Sequence, residues 1–192
     1  MHLVYPNLIP AMWLCWAAYW WAMARDVKAT VRRESMASRL THIVPLGMAV
    51  LLLWVPRAPV AVLGLRFIPK SASIPCFWAG ALLTLAGLLF SVWARVYLGR
   101  NWSGTVTLKQ GHELVTTGPY GIVRHPIYTG LLLAFVGSAL ARGDFAGVLA
   151  VALVAGSFWR KLRMEERWMR EVFGEQYVTY SRRVAALVPF VL

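Results

Sequence analysis

Apolar residues in this chain fall into five blocks, at about 5–24, 42–56, 76–95, 127–142 and 145–159, separated by polar and mostly basic linkers. A run of roughly 20 apolar residues is what a helix needs to cross a bilayer, so each block predicts a membrane helix. The second is short for a span. Residues 25–39 form a strongly basic loop, 57–75 a loop punctuated by proline, and 96–125 a long polar connection. Arg142-Gly143-Asp144 predicts a tight turn between the last two spans. The tail, 160–192, is polar and basic before it ends in LVPFVL. The pattern predicts one all-α membrane domain over 1–192 with about five transmembrane helices. Three of them lie in 1–95, and the last two, with the most unusual polar segments, in 96–192.

Composition agrees. Of 192 residues, 59% are hydrophobic and 15% charged, against about 25% charged in a soluble domain. The net charge of +12 would suit a nucleic-acid partner, but basic residues flanking apolar spans are what membrane topology requires, so none is expected. Five spans put Arg57, Arg66, Lys70 and Arg142 on one side and the other 16 basic residues on the opposite side. The positive-inside rule then places the N-terminus outside and the C-terminus in the cytoplasm. No charged residue lies well inside a span, which argues against an ion pathway. Ala22-Met23-Ala24 resembles a signal cleavage site, yet no Lys or Arg precedes the apolar run, so the first block reads as a retained span. Cys15 and Cys76 give no disulfide framework and read as inert buried thiols. The four histidines are too scattered for a metal cluster, and no metal is expected.

Two segments carry candidate chemistry. The first, 109–130, contains GPYGIVRHPIYTG. Pro126 suits the first position of a helix. Arg124 and His125 then stand at a helix N-terminus, whose free N–H groups favour an anion. Arg124 adds a charge suited to a carboxylate, and Tyr128 an aromatic face. Taken alone, the segment also reads as a basic interfacial anchor. The second, 161–180, repeats Leu162, Glu165, Met169, Val172, Phe173, Gln176 and Tyr180 at helical spacing. Glu165 falls on that apolar stripe and needs a partner, whereas Glu166 reads as a surface pair with Arg170 four residues on. The topology puts both segments on the cytoplasmic face, as a polar small-molecule pocket at a membrane interface. No G-x-G, G-x-S-x-G or H-E-x-x-H occurs, which excludes the corresponding nucleotide, hydrolase and zinc signatures.

His112-Glu113-Leu114-Val115, Gly118-Pro119-Tyr120, Arg124-His125-Pro126-x-Tyr128-x-Gly130, Glu165-Glu166 and Phe173-Gly174-x-x-Tyr177-x-x-Tyr180 together resemble the isoprenylcysteine carboxyl methyltransferase family, to which phospholipid N-methyltransferases are related. The likeness covers about 95–190; the first two spans carry no recognised signature. It implies S-adenosylmethionine as cofactor in an all-helical membrane fold. By motif, the cofactor would be held by His112, Glu113, Leu114, Val115, Tyr120, His125, Pro126, Ile127, Tyr128 and Glu165. A basic residue four positions before that glutamate is implied near the acceptor carboxyl. Here it is Lys161, where eukaryotic members have arginine, and lysine offers a point charge instead of a fork. Arg124, Lys161 and Glu165 are therefore the expected catalytic residues. Glu165 suits a cationic or hydroxyl part of such a cofactor, Arg124 and the helix start its carboxylate, and Tyr120 or Tyr128 its adenine or sulfonium. The acceptor is expected to be lipophilic and to enter from the bilayer. With Glu165 occupied, the balance near it is positive, which favours a carboxylate over an amine. A phospholipid amine or small thiol methyltransferase, a non-catalytic accessory protein and a nicotinamide-using sterol-reductase relative remain as alternatives.

Overall fold

The computed structural model describes residues 5–24, 30–54, 61–99, 102, 107–109, 114–189 and 191. Seven helices and one small ribbon make up these residues. In chain order they are α1 (Tyr5–Met23), β1 (Thr30–Arg33), α2 (Met36–Trp54), α3 (Ser73–Leu98), β2 (Thr107–Lys109), α4 (Pro119–Ile122), α5 (Pro126–Arg142), α6 (Phe145–Phe173) and α7 (Glu175–Arg183), with two 3-10 turns at Ala61–Gly64 and Lys70–Ala72. Among the described residues the only strands are β1 and β2, which pair antiparallel and were not expected from the sequence. Three helices are long and apolar enough to cross a membrane, in α2, in 70–98 and in α6; α5 is a shorter apolar helix.

The tightest packing joins α3 to α5. Gly80 faces Gly137 and Gly87 faces Gly130, seven residues apart on each helix. A Cβ on Gly130 would stand 2.6 Å from the Gly87 carbonyl oxygen, closer than carbon and oxygen can approach. Small residues at such a seam let two backbones touch, which is how helices associate in lipid. The same seam holds Thr84, Ser91 and Ser138, all buried. Two of these hydroxyls receive indoles from α1: Trp13 Nε1 donates to Ser138 Oγ at 3.0 Å and Trp16 Nε1 to Ser91 Oγ at 2.9 Å. Arg95, itself buried, donates to the Met23 carbonyl at 2.7 Å and so caps the end of α1. Indole edges and one guanidinium fix the first helix to the bundle.

At the opposite end, Gly143 takes a positive φ of 70° and Asp144 caps α6, accepting from Gly147 N at 3.1 Å. Arg142 Nε donates to both Asp144 oxygens at 2.8 Å, so the tight turn expected at 142–144 is present. Arg66 pairs with Asp144 along the backbone, which brings Arg66 and Arg142 to one end of the bundle.

Three boundaries differ from the expectation. Helix α2 begins at Met36, inside the predicted basic loop, because Ser35 opens it: Ser38 N donates to Ser35 Oγ at 3.2 Å. Helix α6 does not end where its apolar stretch ends at Trp159 but continues through the charged residues to Phe173. Gly174, with φ 51°, then breaks it from α7. The stripe read across 162–180 is therefore two helices, and Val172 and Gln176 are exposed. Cys15 and Cys76 are free thiols, but Cys15 is exposed on α1 and Cys76 half-buried, so neither is the buried thiol expected.

Candidate functional site

Gly118, with φ 60°, turns the chain into α4, one helical turn that directs Tyr120 inward. The Tyr180 hydroxyl donates to the Tyr120 carbonyl at 2.6 Å and ties α7 to this turn. The chain then extends through Val123 to His125, which caps α5 ahead of Pro126. Here the tail after α7 lies alongside. Arg124 N donates to Ala185 O at 2.8 Å, His125 N to Ala186 O at 3.0 Å, and Thr129 Oγ1 to Leu187 O at 2.7 Å. The N–H groups of Arg124 and His125, expected to favour an anion, are taken by these carbonyls.

The adjacent residues Glu165 and Glu166 lie about 100° apart on α6 and take different surroundings. Glu166 has a side chain 5% exposed and contacts Arg124 Nη2 and Nε, both at 2.8 Å. Arg124 Nη1 donates to Ser181 O at 2.8 Å and also to Val184 O. Arg170 Nη2 reaches the other oxygen of Glu166 at 3.1 Å. The expected pair with Arg170 is present, but Glu166 is buried where a surface pair was expected. Arg124, expected to hold a cofactor carboxylate, is engaged by this carboxylate and by the carbonyls of Ser181 and Val184. The part of α6 bearing Glu166 stands beyond its apolar stretch. Burial alone would raise the Glu166 carboxyl; the hydrogen bond and charge of His125, with Arg124, outweigh this and hold it at about 2.

Glu165 is half-buried and accepts from the Tyr128 hydroxyl at 2.6 Å. His125 stands between the two acids, with Nδ1 3.6 Å from Glu165 and Nε2 3.3 Å from Glu166. Its ring stacks on Tyr128 at 5.5 Å, and Tyr128 stacks on Phe158 at 4.8 Å. The Lys161 ammonium lies 5.4 Å from the Tyr128 ring centroid, within range of a cation–π contact. Burial pushes the Tyr120, Tyr177 and Tyr180 phenols above their ordinary value, so all three stay neutral.

These side chains border a cavity of about 480 Å³. Leu114, Val115, Tyr120, Arg124, His125, Pro126, Ile127, Tyr128, Lys161 and Glu165, which are all the described residues singled out from the motifs, line it. His112 and Glu113 lie outside the described residues. Several lining residues were not expected. Met169, Tyr177 and Tyr180 belong to the polar end, and Leu46, Val50 and Leu53 come from α2. Trp13, Trp16 and Trp20 of α1 form a wall that continues to Trp102; Trp16 stacks on Trp20 at 4.6 Å, and Trp20 meets Trp102 edge-on at 5.5 Å. Their spacing of three and four puts them on one helical face, a signal present in the sequence but not drawn on. The cavity thus joins a polar end, carrying Glu165, His125 and Lys161, to an aromatic and aliphatic remainder.

The family described as Phospholipid methyltransferase matches residues 75–176. The chain is 33% identical over 115 residues to Protein-S-isoprenylcysteine O-methyltransferase B of Arabidopsis thaliana, covering 58% of each chain. It is 33% identical over 101 residues to Protein-S-isoprenylcysteine O-methyltransferase of Schizosaccharomyces pombe, covering 51% of this chain and 43% of the relative. It is also 32% identical over 114 residues to Cobalt-zinc-cadmium resistance protein CzcN of Cupriavidus metallidurans, covering 58% of this chain and 51% of the relative. The chain spans about half the length of the curated relatives it matches. With three helices long and apolar enough to span a bilayer and more than half its length matched, the chain belongs to the phospholipid methyltransferase family of membrane proteins, and the likeness to isoprenylcysteine carboxyl methyltransferases read from its motifs is borne out.

Proposed function

We propose that the chain is an integral membrane methyltransferase that moves a methyl group from S-adenosylmethionine to the carboxylate of an isoprenylcysteine-like, lipophilic acceptor. The observation that carries this reading is one cavity, in which every described residue expected to hold the cofactor or the acceptor meets an apolar compartment built from α1, α2 and α5. The names of the relatives support it.

The residues present fit the cofactor's chemistry. Glu165 offers a carboxylate to a cation, and Tyr120, Tyr128 and His125 offer ring faces to a sulfonium or a purine. Arg124 is committed to Glu166, so its part is to hold α5, α6 and the tail together around the site. When bound, the cofactor supplies an electrophilic methyl on a positively charged sulfur.

An acceptor carboxylate, with an ordinary pKa near 4, arrives ionised and needs no general base. Lys161 then holds it as a point charge that leaves one oxygen free to attack. The aromatic and aliphatic walls exclude water and align the reactants, which is the main contribution a protein can make to an in-line displacement. Five spans with the site on the cytoplasmic face complete the reading. Arg66 and Arg142 meet at one end of the bundle, while Arg124, Arg160 and Arg170 accompany α6 at the other, in keeping with the 16-to-4 charge split.

The family description favours one second reading, a phospholipid amine as acceptor. Transfer of labelled methyl into an N-acetyl prenylcysteine and into phosphatidylethanolamine, run side by side, separates the two. A methyl ester releases its label as methanol in base, whereas an N-methyl group keeps it. Base-labile label in the prenylcysteine is the expected result. Stable label in the phospholipid alone would overturn the carboxylate and leave the methyltransferase standing; cofactor binding with no transfer to either would favour an accessory protein.

A further inference from the structure

Glu34 belongs neither to the motifs nor to the cavity lining, yet it is among the most enclosed charged side chains described. Its side chain is 2% exposed and that of His42 6% exposed, with His42 Nε2 3.3 Å from Glu34 Oε1. That contact lacks hydrogen-bond alignment: both Glu34 oxygens and His42 Nδ1 are buried without a hydrogen-bond partner among the described residues. An enclosed carboxylate that accepts no hydrogen bond is costly, and a nearby cation offsets that cost.

The start of α2 faces the turn of α6 that bears Lys161. Arg160 Nε donates to Thr41 Oγ1, and Ser38 Oγ contacts the Met164 sulfur at 3.6 Å. These two contacts bracket Lys161 on α6. The charged groups acting on His42 are Glu34, Lys161, Arg160 and Glu165, and Glu34 also acts on Tyr128, above whose ring the Lys161 ammonium lies. Arg160 is exposed and hydrogen-bonded to Thr41. Lys161, on the same turn, borders the cavity and acts electrostatically on His42.

We propose that Glu34, together with His42, is a positioning residue for the acceptor end of the site: a buried acid–imidazole pair behind the α6 turn that holds the Lys161 side chain in place at the cavity wall. This rests on the reading that Lys161 receives the acceptor carboxylate. Such an arrangement gives the wall a cation for an incoming carboxylate without leaving that cation uncompensated between turnovers.

The test is a double-mutant cycle in the detergent-solubilised protein, with Glu34→Gln, Lys161→Ala and the pair, reading KM for a prenylcysteine acceptor, kcat and S-adenosylhomocysteine affinity. Glu34→Gln should raise the acceptor KM about tenfold, leave cofactor affinity unchanged, and add nothing further in the Lys161→Ala background. Glu34→Asp should restore most of the loss. If Glu34→Gln does not accumulate as folded protein, the same cycle is run with His42→Gln. Full additivity, or an unchanged acceptor KM in Glu34→Gln, overturns the positioning role and leaves the carboxylate reading intact. An unchanged acceptor KM in Lys161→Ala overturns both, and that single variant tells the two failures apart.

Discussion

Arg124 and Glu166 are 42 residues apart in sequence and share two nitrogen–oxygen contacts of 2.8 Å. Their side chains are 11% and 5% exposed. Arg124 also reaches the carbonyls of Ser181 and Val184, so one guanidinium joins the start of α5, the middle of α6 and the tail after α7. Arg124→Ala leaves a buried carboxylate without its main partner. Breaking such a pair from one side costs about 3–5 kcal/mol. Thermal unfolding in detergent should show a large loss of stability, and Arg124→Lys should recover little of it, because an ammonium cannot serve both partners. Wild-type stability in Arg124→Ala would refute the assignment.

The same pair sets a pH dependence. The Glu166 carboxyl is depressed from an ordinary 4.5 to about 2, so its stabilisation is fully present above the unfolded value and is lost as pH falls through the folded one. The stability of the wild type should drop between about pH 4.5 and pH 2, by about 3 kcal/mol from this group. In Glu166→Gln that component of the slope should be absent. The measurement is the midpoint of thermal unfolding across that range.

Glu165, by contrast, accepts from the Tyr128 hydroxyl and faces the cavity. Glu165→Gln should leave the fold intact and weaken S-adenosylhomocysteine binding. Losing a hydrogen bond to a charged group costs about 1.5–3 kcal/mol, or roughly ten- to a hundredfold. Calorimetric titration reads it directly, and unchanged affinity would remove Glu165 from the site.

At Gly87 a methyl group would overlap the Gly130 carbonyl oxygen and Ala134 N. Both are backbone atoms of α5 and cannot swing aside. Gly87→Ala should therefore force α3 and α5 apart, at about 1–3 kcal/mol. The hydroxyls on that seam hold Trp13 and Trp16, so indole fluorescence should change along with the unfolding midpoint. Gly156, with open space around it, provides the control substitution.

The topology is tested with reporters. One fused after Leu192 should read cytoplasmic and one before Met1 external, given the charge split of 16 to 4. Two reporters on the same side would exclude an odd number of spans.

Local rules made much of this legible. Pro119 and Pro126 each open a helix, as turn dipeptides and N1 prolines do, and the segment between them carries Tyr120, Arg124 and His125 to one cavity. The burial of Glu166 was not legible, because neighbours on a helix differ by one step of rotation and the deciding partner, Arg124, comes from another element. Helix α6 outruns its apolar stretch because backbone hydrogen bonding continues across the change in polarity at Arg160 until Gly174 stops it. The contribution of α1 was hidden for a similar reason: its indoles are held by Ser91 and Ser138, 75 and 125 residues away. Ser35, of a residue type that opens helices, marks the start of α2 within the stretch read as a basic loop.

The strap formed by the carbonyls of residues 181–187 against the start of α5 sets an order of assembly. Every described residue that lines the cavity is synthesised before it. Helix α5 can enter the bilayer with the N–H groups of Arg124 and His125 still facing water, and they exchange water for Ala185 and Ala186 only once the later segment has emerged. Maturation of the polar end therefore follows insertion of the spans, and a ribosome stalled before residue 181 would carry a membrane-embedded chain with an unfinished binding site.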